Sequence, residues 1–188
     1  MAAAPRAKSI EPVELAIIFA LAFAIFRLAA GEATPFDVLI AQADSFLHGH
    51  LYLIQTAIPW EHITVNGFNY SIHPPLAALL CTPFVALGFR DQGVIFVLFG
   101  AISVMLAYRL TASLWLTAFY GLGTVVFYEV TTGASWGGCL LVSTIPTFLA
   151  LIELGGKRRP CVVGLCATLA AFARWDLALA IPVYLAML

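Results

Sequence analysis

The chain has 188 residues, of which 62% are hydrophobic and only 10% charged, with a net charge of -1. A soluble domain of this size has too little interior to bury that much apolar surface, so the composition predicts an integral membrane protein. We do not expect this chain to bind nucleic acid, because such binding requires a basic face.

Six apolar runs could provide helices: 13–30, 74–89, 93–108, 111–128, 137–154 and 160–188. The first follows Arg6 and Lys8 and is too long for a signal-peptide core, so it is interpreted as a retained first span. If all six crossed from a cytoplasmic N-terminus, the basic cluster Lys157-Arg158-Arg159 would lie outside, against the positive-inside tendency.

The run 74–89 is therefore the one expected not to cross. It is only 16 residues long, opens with Pro74-Pro75 and contains Pro83. Placing it on the membrane surface leaves five spans: 13–30, about 93–110, about 112–130, about 136–154, and the last run. The predicted fold is thus an all-α polytopic transmembrane helix bundle, a single membrane domain over 1–188. Its outer loop, about 31–92, contains juxtamembrane helices. Because the chain stops at Leu188 within an apolar stretch, it is expected to be the N-terminal part of a longer domain.

The outer loop holds most of the polar residues. Asp37, Asp44 and His48 recur at helical spacing, which predicts a helix with both carboxylates on one face and Gly49 at its end. The opposite face, with Val38 and Leu39, is expected to rest on the membrane surface.

The sequence leaves two interpretations of Asp37 open. A carboxylate at head-group level could take a proton from an acceptor hydroxyl or hold a divalent cation. Alternatively, it is a favourable charge in the first turn of a helix after Pro35. For Asp44, a site role and a solvated helix face are equally open.

Asn66-Gly67, between two short apolar and aromatic runs, predicts a tight hairpin turn that brings Trp60-Glu61 close to His73. The histidines of the loop (His48, His50, His62, His73) match no tight metal site, and the four cysteines are interpreted as small buried hydrophobes. No metal site is predicted, although a divalent metal is compatible with the loop.

Arg174 and Asp176 lie in the last apolar run. Residues two apart on a helix do not face each other, so each is expected to have a different partner. Arg174 is a candidate for binding a lipid phosphate, which its guanidinium matches in shape, or else it marks the helix boundary with Asp176. Glu129 is expected at the outer end of the third span.

Together these residues resemble the polytopic GT-C glycosyltransferases, which include the protein mannosyltransferases and bacterial enzymes that use polyprenyl-phosphate sugars. The residues that carry the resemblance are Phe36-Asp37-Val38, the run 43–53, His73-Pro74-Pro75-Leu76, the run 155–160, and Phe172-Ala173-Arg174-Trp175-Asp176. Val38 departs from the Asp-Glu pair of many relatives, and Asp44 would have to supply a second carboxylate.

The resemblance implies transfer of a sugar from a polyprenyl-phosphate donor to a glycan, lipid or protein acceptor at the outer face of a membrane, which would be the bacterial inner (plasma) membrane. It implies Asp37 as catalytic base, with Asp44 as a second catalytic candidate, and no required cofactor. Substrate-binding candidates are His73, Arg174 and Glu61. The alternative is a non-enzymatic membrane protein, either a transporter segment or an inactive scaffold.

Overall fold

The computed structural model describes residues 10–31, 37–54 and 61–188 and is mostly helical. Arg6, Lys8, Pro35, Phe36 and Trp60, which the sequence interpretation used, lie outside the described residues. The elements in chain order are α1 (Pro12–Ala29), α2 (Val38–Leu47), β1 (His62–Val65), β2 (Phe68–Ser71), α3 (Pro75–Ala86), α4 (Gln92–Thr111), α5 (Leu114–Leu122), α6 (Val125–Thr132), α7 (Ser135–Gly155), α8 (Pro160–Ala173), a 3₁₀ helix (Trp175–Ala180) and α9 (Ile181–Met187).

Three of the described helices, α1, α4 and α7, are long and apolar enough to cross a bilayer, which indicates a membrane protein. Their bounds agree with the first, second and fourth predicted spans. α3 has 12 residues and falls short of the length that a crossing needs, as the sequence analysis expected for the run 74–89.

The third predicted span, about 112–130, is wrong as a single continuous helix. The chain turns out of α5 at Gly123 and restarts as α6, where the Thr124 side chain accepts a hydrogen bond from the Val126 amide. The last run is also interrupted, because α8 ends at Ala173 and the backbone of Arg174 is extended. α5, α6, α8 and α9 are each shorter than the three long helices.

Helices α1, α5, α6 and α7 pack against α4, whose side chains are buried on most of its circumference. Gly100 gives α4 a close approach to α1 and α6, since a Cβ there would meet Phe26 and Val130. Near the start of α4, the Gln92 side chain donates to the Gly133 carbonyl over 2.8 Å. The N-termini of α4 and α7 therefore lie at one end of the molecule, while Arg109, in the last turn of α4, and the 157–159 cluster, after α7, lie at the opposite ends of these helices.

The segment between α1 and α4 packs on that same end. As predicted, α2 ends at Leu47 and Gly49 takes a positive φ of 76°. The membrane-facing role expected for its apolar side is wrong in part, because Val38 and Leu39 are buried within the protein. Leu39 belongs to the core cluster that includes α3, which lies alongside α2, whereas Val38 packs with Leu53.

The hairpin predicted from Asn66-Gly67 is present. His62 pairs with Ser71 and Val65 with Phe68, and the two turn residues have φ values of 52° and 81°. Positive φ at both central turn residues is what a tight two-residue hairpin needs, and Asn-Gly supplies it at least strain. The hairpin is the exception to the predicted all-α class.

Candidate functional site

Three parts of the chain meet in a cleft of about 450 Å³ at the end of the molecule where α7 begins. The described residues that line it are His73 and Pro74 before α3, Trp136 and Cys139 in the first turns of α7, and Arg174, Trp175 and Asp176 after α8. The cleft therefore combines two exposed indole rings with an arginine, an imidazole and a carboxylate.

His73, in the wall of this cleft, forms a nearly buried pair with Glu61, which is not itself among the described lining residues. The Nε2 atom of His73 lies 3.2 Å from Glu61 Oε2, and the side chains are 9% and 11% exposed. The hairpin accounts for the pairing, because the Ile72 amide donates to the Glu61 carbonyl beyond the last paired residues of the two strands. The sequence expectation that Glu61 comes near His73 is confirmed.

Arg174 and Asp176 are paired with each other, so the expectation of separate partners is wrong. The guanidinium donates from Nε to Oδ1 over 3.0 Å and from a terminal nitrogen to Oδ2 over 2.9 Å. The helical-spacing argument fails because α8 ends at Ala173, and the extended backbone at Arg174 turns both side chains to the same side. This contact with Arg174 lowers the pKa of the Asp176 carboxyl.

Glu129 lies in the last turn of α6, at the end of the predicted third span as expected, but it is fully buried there. Neither of its carboxylate oxygens has a hydrogen-bond partner in the described part of the chain. Gly137 makes room for this carboxylate beside the first turn of α7, because a Cβ at that position would collide with it. Arg174 is close enough to interact with Glu129 electrostatically. No sequence signal marked Glu129 as buried, although Gly137-Gly138 indicated a close approach.

The two predicted catalytic carboxylates lie elsewhere. Asp37 precedes α2 at its N-cap position, and its side chain makes no capping hydrogen bond. Asp44 accepts a hydrogen bond of 2.7 Å from Arg90, the arginine between α3 and α4. Neither is among the described residues that line the cleft.

Within the described ranges, no group of three or more histidine, cysteine or acidic residues is arranged to hold a metal ion. His48 bonds to the backbone oxygen of Asp44, and His50 packs on the ring of Tyr52. Three cysteines are buried as expected, but Cys161 is exposed near the start of α8.

The cleft lies at one end of the long apolar helices. Trp136 is in the first turn of α7 and Cys139 about one turn further in, which corresponds to a depth of roughly 5 Å along the helix axis. For a helix that crosses a bilayer, this level is close to the lipid head groups, where tryptophan is enriched. Such a place suits a ligand with an apolar tail and an anionic head.

Comparison of the chain with protein-family models, with curated proteins and with solved structures gave no match. The argument for function therefore rests on the cleft and on the residues around it.

Proposed function

We propose that this chain is the membrane domain of an inverting glycosyltransferase of the GT-C kind, which takes a sugar from a polyprenyl-phosphate donor at the outer face of a membrane. The observation that carries the proposal is the convergence of Arg174 and the His73–Glu61 pair on one cleft at the end of α7. Arginine binds phosphate through paired hydrogen bonds, and the level of the cleft matches that of a lipid phosphate.

The proposed topology is a bundle with five crossings. α1, α4 and α7 cross as single helices, α5 and α6 together provide the third crossing, and the last run, 160–188, which begins with α8, provides the fifth. This arrangement sends Arg109 and the 157–159 cluster to the cytoplasmic side with the N-terminus, in keeping with the positive-inside tendency. The cleft then opens on the outer side, where the segment between α1 and α4 covers the bundle.

In the proposed reaction, an acceptor hydroxyl oxygen attacks the anomeric carbon of the sugar and forms the new glycosidic bond. The bond between that carbon and the phosphate oxygen breaks, and its electron pair leaves with the polyprenyl phosphate. Arg174 stabilises the negative charge on the departing phosphate, and the acceptor proton passes to a base of the protein. The reaction as written needs no oxidant or reductant.

Asp37 is one candidate for this base, implied by the resemblance although it is not among the described residues that line the cleft, and its role can be tested directly. Asp37→Asn, in the chain reconstituted in vesicles, should reduce sugar transfer from a polyprenyl-phosphate donor by about 100-fold or more if Asp37 takes the proton. Glu11→Gln is the matched control, because Glu11 lies just before the first residue of α1, whereas Asp37 comes after the last residue of that helix. Undiminished transfer by Asp37→Asn would exclude Asp37 as the base.

One observation favours the alternative of a non-enzymatic lipid-binding protein. Neither predicted catalytic carboxylate lines the cleft, although the arginine suited to a phosphate does. A protein of this kind would bind polyprenyl phosphate through Arg174 but transfer no sugar. Binding with and without turnover distinguishes the two functions.

A further inference from the structure

The His73–Glu61 pair leaves one imidazole nitrogen available to a ligand. Glu61 accepts at Nε2, and the backbone amide of His73 donates to Ser71 Oγ. In the described part of the chain, no residue bonds to Nδ1. Because a carboxylate at Nε2 favours the tautomer with its proton there, the Nδ1 lone pair remains free to accept one.

The backbone fixes this arrangement from both sides. Glu61 is joined to the hairpin through the hydrogen bond from the Ile72 amide, and His73 directly precedes Pro74 and Pro75, which begin α3. Proline restricts the residue before it to extended conformations, so His73 has little backbone freedom. The imidazole is therefore held between the hairpin and the start of a helix, with its ring in the wall of the cleft.

The ionisable groups around the imidazole come from three directions. Glu61 lies on the hairpin side, the Cys139 thiol on α7, and Arg174 with its partner Asp176 after α8. Arg174 is the one cation among the described lining residues, and it is neutralised by Asp176. The carboxylate of Glu61 is thus the charged group in direct contact with the imidazole.

We propose that His73 is the proton acceptor of the transfer reaction and that Glu61 is its positioning residue. This inference rests on the proposed function. As the acceptor hydroxyl oxygen bonds to the anomeric carbon and polyprenyl phosphate leaves, the hydroxyl proton moves to His73 Nδ1. The carboxylate of Glu61 holds the ring and stabilises the imidazolium, which afterwards returns its proton to water. An imidazole held by a carboxylate at one nitrogen and accepting a proton at the other is a recurrent arrangement in acyl transfer, where geometry defines the roles.

The kinetic test compares His73→Gln with wild type across a range of pH. Wild-type kcat/KM should fall as pH is lowered, because a protonated imidazole cannot accept a proton, and this acidic limb should disappear in His73→Gln. The variant should lose about 100-fold or more in kcat with little change in donor KM. His48→Gln is the matched control, since His48 is an exposed histidine of the same segment that bonds only to a backbone oxygen.

Two further variants separate chemistry from folding. Added imidazole should restore transfer to His73→Gly, with the rescue rising as the fraction of neutral imidazole rises. Glu61→Gln should lower kcat less than His73→Gln does and keep the acidic limb of the pH profile. A variant that merely misfolds would respond neither to imidazole nor to pH in this way.

A spectroscopic measurement reads the pair without turnover. In protein labelled with ¹⁵N-histidine, the His73 signals should show a protonated Nε2 and an unprotonated Nδ1 at neutral pH, and Glu61→Gln should shift this balance. A proton on Nδ1 in wild type would overturn the inference.

Different results would refute the role of His73 and the proposed glycosyltransferase function. If wild type transfers sugar and His73→Gln keeps both its rate and its acidic limb, the role of His73 is refuted while the glycosyltransferase stands. If wild type transfers no sugar from any polyprenyl-phosphate donor, the proposed function fails, and the role of His73 fails with it.

Discussion

Arg174 and Asp176 are two residues apart and share two hydrogen bonds of 3.0 and 2.9 Å at the edge of the cleft. The pair exists because the chain leaves α8 at Ala173 and continues in an extended conformation. Asp176 occupies the edge of the guanidinium that a phosphate would use, so the ligand-free cleft holds an internal carboxylate in the place of the ligand.

Asp176→Asn should strengthen the binding of polyprenyl phosphate, because it removes the carboxylate that competes for Arg174. Both side chains are substantially exposed, and exposed ion pairs contribute about 0.2–1 kcal/mol, so the gain should be about two- to fivefold. Quenching of the cleft tryptophans by vesicles containing polyprenyl phosphate measures it. Weaker binding by the variant would show that Asp176 orients the arginine.

The same pair predicts a pH effect. Arg174 lowers the pKa of Asp176, so the stabilisation from the pair is present above the ordinary carboxyl range and is lost as pH falls through the lowered pKa. Protonation of Asp176 then frees the guanidinium, and affinity for a lipid phosphate should rise toward acid in wild type. In Asp176→Asn this rise should be absent, and an equal rise in both proteins would contradict the prediction.

The hairpin and the end of α8 show what the sequence could and could not predict. Asn66-Gly67 is a local signal with one favoured turn geometry. The hairpin predicted from it correctly placed Glu61 near His73. The end of α8 carries no glycine or proline, since the chain reads Phe172-Ala173-Arg174. The expectation that Arg174 and Asp176 face apart therefore assumed a helix that continues through them, whereas α8 ends at Ala173. The burial of Glu129 depends on a tertiary contact with Gly137, which no local pattern encodes.

Glu129→Met should stabilise the protein. A buried polar group without a hydrogen-bond partner costs about 1–3 kcal/mol, and a thioether of similar length removes that cost while filling the same space beside Gly137. A higher Tm in detergent is expected. Glu153→Met is the control and should give no increase, because Glu153 is paired with Arg159. A lower Tm for Glu129→Met would show that the carboxylate has a stabilising partner.

Gly138→Ala should destabilise the contact between α4 and α7. A Cβ at this position would collide with the ring of Phe96, which is fully buried and cannot move aside. Overpacking of this kind costs about 1–3 kcal/mol, which should appear as a lower Tm. Gly164→Ala in α8 meets open space and should leave Tm equal or higher, since alanine favours helices. Equal behaviour of the two variants would contradict the packing between α4 and α7.

The proposed orientation predicts opposite accessibility for two single cysteines. In a background with Cys81, Cys139, Cys161 and Cys166 replaced by serine, a membrane-impermeant thiol reagent added outside should label Ile63→Cys, in the exposed face of β1, but not Lys157→Cys. Lys157→Cys should react only after the membrane is permeabilised. Labelling of both positions from one side would contradict the proposed topology, in which α4, the pair α5 and α6, and α7 each cross the membrane between positions 63 and 157.

The most direct test of the central claim measures the transfer of a labelled sugar from a polyprenyl-phosphate donor in vesicles, for wild type and Arg174→Ala. A hydrogen bond to a charged group contributes about 1.5–3 kcal/mol, so Arg174→Ala should reduce kcat/KM by at least about 10-fold while wild type turns over. Equal transfer by the two proteins, or none by wild type, would contradict the assignment of this cleft to a polyprenyl-phosphate sugar.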